Sequence, residues 1–181
     1  TAPLHQAIEQ FPHEPPVPSH YYACDPPEPG DGKRLAELLG FFCPESDIDR
    51  QLIQAAFATP LWGGPAGARP ATMLTAQKGR GRGKSKLAQY LAYLWGGHID
   101  VSPNEDMAAI KTRLLTAEAI PLRVAILDNV KTTRFSWGEL EAIITSPVIS
   151  GRRLYVGNGS RPNFLTWLIT VNGASLSTDM A

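Results

Sequence analysis

The stretch GRGRGKS, residues 79–85, decides how this chain is read. It follows the apolar run 71–76, expected as a short buried strand. It precedes residues 87–95, where Leu87, Ala88, Leu91, Ala92 and Trp95 recur at helical spacing. Strand, Gly-rich turn, Lys-Ser and helix form the layout of a phosphate-binding loop. Glycine lets backbone N–H groups turn inward around a phosphate, and the helix N-terminus adds the positive end of its dipole. On this reading Gly79, Arg80, Gly81, Arg82, Gly83, Lys84, Ser85 and Lys86 cradle ATP. Lys84 reaches the β- and γ-phosphates, and Ser85 helps to hold Mg²⁺. The full pattern asks for Gly five residues ahead of the Gly83-Lys84 pair. Lys78 stands there instead, with Gly79 and Gly81 beside it to supply the turn. A basic, glycine-rich loop that holds no nucleotide is the plainer alternative.

Charge is unevenly distributed along the 181 residues. Net charge is zero, yet residues 1–50 set Lys33, Arg34 and Arg50 against nine carboxylates, while residues 51–181 carry fourteen Lys/Arg against eight Asp/Glu. An acidic leader and a basic body fit a body that meets phosphates. Cys24 and Cys43 lack the spacing of a disulfide framework or a zinc site, and His5, His13, His20 and His98 form no metal pattern. No apolar run reaches membrane-spanning length and no signal-peptide pattern opens the chain, so a cytoplasmic protein with no membrane partner is expected.

Half of the sixteen prolines fall in the first thirty residues, so residues 1–32 are expected to be a linker or irregular arm and 33–181 an ATPase body. Short helices are expected at 33–40 and 48–58, the second preceded by Ser46 and Asp47. After a loop at 59–70 the pattern alternates. Strand 71–76, helix 84–95, strand 98–101, helix 104–118 behind Ser102-Pro103, and strand 122–127 lead to a helix capped by Ser136. Strand-like runs at 150–156 and 163–171 flank GNGSRP, a turn signal. Alternating strands and helices imply an α/β layered sheet, largely parallel.

Two further features give the Gly-rich loop its weight. Asp128 ends the apolar strand 122–127, where a carboxylate beside a phosphate loop suits Mg²⁺ binding; capping of the next turn is the alternative. Many ATPases of this layout carry Glu or Asp next to that residue to activate water. Here the residue is Asn129, whose amide orients water but takes no proton, and Glu105 and Asp106 are the other carboxylates within reach of the layout. Asn172 ends the last apolar strand and is placed to sense the γ-phosphate or position water, although Asn-Gly at a strand end is also an ordinary turn.

Phosphate loop, Asp-ended strand, helix, hairpin-like insert and Asn-ended strand, in that order, resemble AAA+ ATPases over about residues 45–181. Within them the chain is most similar to superfamily 3 helicases and the helicase domains of phage and mobile-element primase–helicase proteins. The resemblance implies a P-loop NTPase three-layer sandwich with a mainly parallel central sheet and a β-hairpin before the sensor strand. It implies a homo-oligomeric ring, a hexamer, in which the hairpin tip follows single-stranded DNA. Residues 149–166 fall at that hairpin and carry Arg152, Arg153 and Arg161 without an acid; Arg161, beside the Gly-Asn-Gly-Ser turn, is expected nearest the tip. Tyr155 offers a stacking face, and a plain solvated hairpin is the alternative. The resemblance also places residues 59–62 and Arg69-Pro70 by the adenine. An arginine finger usually follows a Ser-x-Asp segment like Ser177-Thr178-Asp179, so a chain ending at Ala181 is expected to be a fragment.

The function implied is an ATP- and Mg²⁺-dependent, DNA-stimulated ATPase, the motor of a replicative helicase. A nucleotide-dependent switch or clamp with slow turnover, in a mobile-element or defence protein, is the rival that Asn129 favours. A small-molecule kinase shares the phosphate loop but leaves the hairpin and Asn172 without a purpose.

Overall fold

The computed structural model describes residues 7–18, 20–25, 28–76, 81, 83–130, 134–135, 137–153, 157–172 and 175–176. They fall into two units, Thr1–Gly64 and Pro65–Ala181.

In the first unit, strands β1 (Ala7–Glu9) and β2 (His20–Tyr22) pair in parallel, so the proline-rich arm is not irregular throughout. The Tyr22 hydroxyl accepts the Val17 N–H at 2.8 Å and lies 3.0 Å from His13 Nδ1, which ties the aromatic into the arm itself. Helices α1 (Lys33–Phe41) and α2 (Asp47–Ala58) follow as the apolar spacing indicates. Ser46 caps α2 by accepting the Asp49 N–H, and Asp47 and Asp49 set negative charge at the positive helix end. A 3-10 turn, Thr59–Leu61, closes the unit. Residues 33–64, which the sequence groups with the body, belong here.

The second unit runs β3 (Thr72–Leu74), α3 (Lys84–Leu94), β4 (Ile99–Val101), α4 (Met107–Leu114), β5 (Val124–Val130), β6 (Arg134–Phe135), α5 (Gly138–Thr145), β7 (Val148–Arg153), β8 (Gly157–Pro162), β9 (Thr166–Val171) and β10 (Ser175–Leu176). Its main sheet has the order β3-β9-β5-β4, and every pair in it is parallel. β6 and β10 form a separate parallel pair, and β7 and β8 an antiparallel hairpin. The fold is therefore α/β with a mainly parallel sheet.

Parallel strands covered on both faces need apolar side chains in both directions. Ala125, Leu127, Trp167, Ile169 and Val171 share one core with Met107, Ile110 and Leu114 of α4, Leu140 and Ile143 of α5, and Ile149 of β7. Alternation sends Val124, Ile126 and Leu168 to the opposite face, where α3 packs on β5 and β9 with Leu87, Ala88, Leu91 and Ala92 buried. Each large side chain so buried contributes about 1.5–3 kcal/mol. Asp128 and Thr170 fall on the α3 side of this alternation.

Several elements depart from the sequence expectation. Helix α4 begins at Met107, not 104, because Asp106 is its cap, accepting the Ala109 N–H at 2.7 Å. Glu105 instead folds back to accept the Ser102 N–H and pairs with Arg113. The segment GNGSRP is strand β8, not the turn, since Arg153 pairs with Gly157 and Ile149 with Arg161. The chain reverses between Arg153 and Gly157. Gly159 is glycine for another reason: a Cβ there would come within 2.3 Å of Arg153 Cδ, so the arginine stem lies across it. Helix α5 starts behind Trp137 with no side-chain cap, and Ser136 lies outside the described residues.

Candidate functional site

All four strands of the main sheet point the same way, so their carboxyl ends share one edge. Open parallel sheets bind ligands at that edge. β3 leads from it into the Gly-rich loop, β5 ends there at Asp128-Asn129-Val130, and β9 ends just before Asn172. β9 lies between β3 and β5, so Asn172 follows the strand between them.

Gly81 and Gly83 have φ of 79° and 82°, a left-handed backbone that glycine adopts without strain. Gly83 is the N-cap residue of α3, and among the described residues no side-chain cap bond is made at that end. Lys84, Ser85 and Lys86 form the first turn, which holds no acid. The contrast with α2 and α4 is instructive. Those helices cap their N-termini with Ser46 and Asp106, while α3 puts cations against its own dipole. Such an end suits an anion. Lys86 donates along the helix to Gln89 at 3.3 Å. Gly79, Arg80 and Arg82 of the expected cradle lie outside the described residues.

Ser85 Oγ donates to Asp128 Oδ1 at 2.7 Å, across 43 positions of sequence. A second hydroxyl, Thr170 Oγ1, donates to the same oxygen at 2.5 Å. Thr170 Oγ1 in turn accepts the Asn129 N–H at 2.8 Å. The backbone explains this arrangement. Leu127 pairs with Ile169 and Val130 with Val171, so β5 spends two residues, Asp128 and Asn129, where β9 spends one, Thr170. That is a β-bulge, and Asn129 sits in it with φ 61°. Asparagine is among the few side-chain-bearing residues that take this conformation readily. The Asn129 amide side chain accepts from Asn172 Nδ2 at 2.8 Å, and the Asn172 backbone N–H donates to Val130.

Ser85 and Asp128 are thus in contact, as are Asn129 and Asn172, and Thr170 links the two pairs. Thr170 was not legible as part of the site; its signal is that it lies two residues before Asn172 in strand β9. Glu105 and Asp106, the alternative bases, are engaged locally with Arg113 and the start of α4. Among the described residues no group of three His, Cys, Asp or Glu converges on a metal-binding point. Both cysteines are free thiols.

The hairpin arginines separate. Arg152 and Arg153 are the last residues of β7, at the reversal; Arg152 is exposed and Arg153 half-buried. Arg161 is not near the tip, which corrects the sequence expectation. It is 8% exposed at the hairpin root, and its guanidinium donates to the carbonyls of Ala119 (2.8 Å), Leu122 (3.2 Å) and Leu114 (3.4 Å). Leu114 ends α4, where a cation suits the helix dipole. Tyr155 lies outside the described residues. Arg69, expected beside the adenine, is buried, with its guanidinium 4.5 Å from the Phe164 ring centre and donating to Pro65 O. Burial, and then repulsion from Arg123, lowers its pKa to about 10.

No helix among the described residues is long and apolar enough to cross a membrane. No family model matches the chain, and no curated protein is significantly similar to it.

Proposed function

We propose that the second unit is the nucleotide-binding core of a P-loop ATPase of the AAA+ kind, acting as the motor of a nucleic-acid-dependent enzyme such as a replicative DNA helicase. The observation that carries this reading is the Ser85–Asp128 hydrogen bond at the start of an uncapped, basic helix. A hydroxyl and a carboxylate oxygen in contact are hard donors of the type that Mg²⁺ takes, and an ion bound mainly through phosphates and water needs only one or two protein ligands. Their number therefore fits.

In this reading Ser85 and Asp128 hold Mg²⁺, while Lys84 and the N–H groups that open α3 meet the phosphates. Bound Mg²⁺ supplies neutralisation of charge on the β- and γ-phosphates. Asn172 orients a water or a terminal phosphate oxygen through its amide. Asn129 orients but does not accept a proton. Arg152 and Arg153, the last residues of β7, would meet a nucleic-acid backbone in this reading, and copies in a ring would multiply those contacts.

Calorimetric titration of the chain with ATP tests the assignment. Lys84→Ala is expected to weaken binding by about ten- to a hundredfold, the size of a lost hydrogen bond to a charged group. Asp128→Ala is expected to abolish the tightening by Mg²⁺ while leaving metal-free binding. Equal affinity in all three proteins would refute nucleotide binding here.

The pairing of Asn129 with Asn172 favours a second reading, a slow nucleotide switch. Hydrolysis measured with and without single-stranded DNA separates the two. Stimulation by DNA supports the motor, and binding without turnover supports the switch.

A further inference from the structure

We propose that Thr170 is the positioning residue of this site: its hydroxyl fixes the Asp128 carboxylate and closes the gap that the β5 bulge leaves in the sheet. The role of Asp128 toward a cation rests on the reading above; the bulge repair does not.

Thr170 is 1% exposed on a strand whose six residues are all buried. A hydroxyl there is unfavourable unless it is bonded. The bulge turns the Asn129 N–H out of the ladder, and Thr170 Oγ1 accepts it. Accepting from an N–H leaves the hydroxyl proton to go elsewhere, and it goes to Asp128 Oδ1. The direction of both bonds is therefore fixed by chemistry. Ser85, the other donor to Oδ1, sits on the first turn of α3, beside the loop that a ligand would engage. Thr170 sits in the central strand pair of the sheet. The carboxylate thus has one donor on the ligand side and one anchored in the core.

Thr166, on the same strand and the same face, provides the internal comparison. Its hydroxyl has no hydrogen-bond partner among the described residues. A threonine in this strand therefore does not acquire two partners merely by being there. The bulge and the carboxylate give Thr170 its role.

The test compares Thr170→Val, Thr170→Ser and Thr166→Val with the unchanged protein. Without nucleotide, exchange of the Asn129 amide proton is expected to be at least tenfold faster in Thr170→Val and unchanged in Thr170→Ser and Thr166→Val. With ADP, Thr170→Val is expected to raise the Mg²⁺ concentration for half-maximal tightening about tenfold, with metal-free affinity within twofold and Ser restoring the original behaviour. Should Thr170→Val not fold, Asn129 amide protection in the unchanged protein decides: protection comparable to its β5 neighbours supports the inference, and free exchange overturns it. Equal exchange and equal Mg²⁺ dependence in Thr170→Val also overturn it. Failure of the unchanged protein to bind ADP at all would instead refute the nucleotide reading, leaving the exchange result to judge the bulge repair.

Discussion

Replacing Arg161 by Met keeps the aliphatic stem and removes only the guanidinium. Three carbonyls lose a donor. Two of those bonds, to Ala119 at 2.8 Å and Leu122 at 3.2 Å, have good lengths, and the third, to Leu114 at 3.4 Å, is weak. A hydrogen bond to a charged group contributes about 1.5–3 kcal/mol, and a buried acceptor left bare costs about 1–3 kcal/mol. Relief from burying the charge offsets part of this. The two good bonds then set the loss at about 3 kcal/mol. With a urea slope of about 2 kcal/mol per molar, the unfolding midpoint falls by roughly 1.5 M. Arg152→Met, on the exposed end of the same hairpin, is expected to move it by less than about 0.3 M. Circular dichroism in urea measures both. Equal midpoints for the two variants would refute the assignment of Arg161 to the hairpin root and return it to the candidate nucleic-acid surface.

Thr166→Val removes a buried hydroxyl that has no partner among the described residues, so stability is expected to stay level or rise by about 1 kcal/mol in the same urea titration. Asn129→Gly relieves a positive φ and should leave the fold intact, whereas Asn129→Glu, which installs the carboxylate many ATPases carry, costs about 1 kcal/mol of backbone strain; thermal melts of both variants report the difference. Arg152→Ala together with Arg153→Ala is expected to flatten the salt dependence of single-stranded DNA binding by about one to two units of slope, with ATP affinity unchanged. Asn163→Ala strips donors from the carbonyls of Ile143, Ile144 and Ser146 at the end of α5 and should destabilise by about 2 kcal/mol in urea.

The apolar runs of β5 and β9, and the spacing of α2 and α3, are readable because they depend on neighbours a few residues away. So is the position of Asp128 and Asn172 at the ends of β5 and β9, since a parallel sheet brings strand ends to one edge. The bulge is not readable. It exists only in the register between β5 and β9, whose paired residues lie 41 or 42 positions apart, and it changes the meaning of Asn129. From sequence that residue is a missing acid; in the structure it is also a side chain that tolerates φ 61°. The hairpin turn misleads for a related reason. Glycine at 157 and 159 reads as a reversal, yet Gly159 makes room for the stem of Arg153 within a strand. Arg161 reads as surface charge because its acceptors lie 39 to 47 positions away, at the far end of α4 and the turns that follow.

Arg161 and Asn163, two positions apart, bind the carbonyl ends of α4 and α5. Higher along the same ribbon Gly151 lies so close to α4 that a Cβ there would come within 3.1 Å of Lys111 Cβ. The ribbon is therefore a short cantilever, gripped from its root to Gly151. Beyond it, the described hairpin holds only the two rungs Arg152–Asn158 and Arg153–Gly157, which span about 7 Å. A force on Arg152 or Arg153 would therefore be passed to α4 through the close contact at Gly151 rather than absorbed by a long, flexible ribbon.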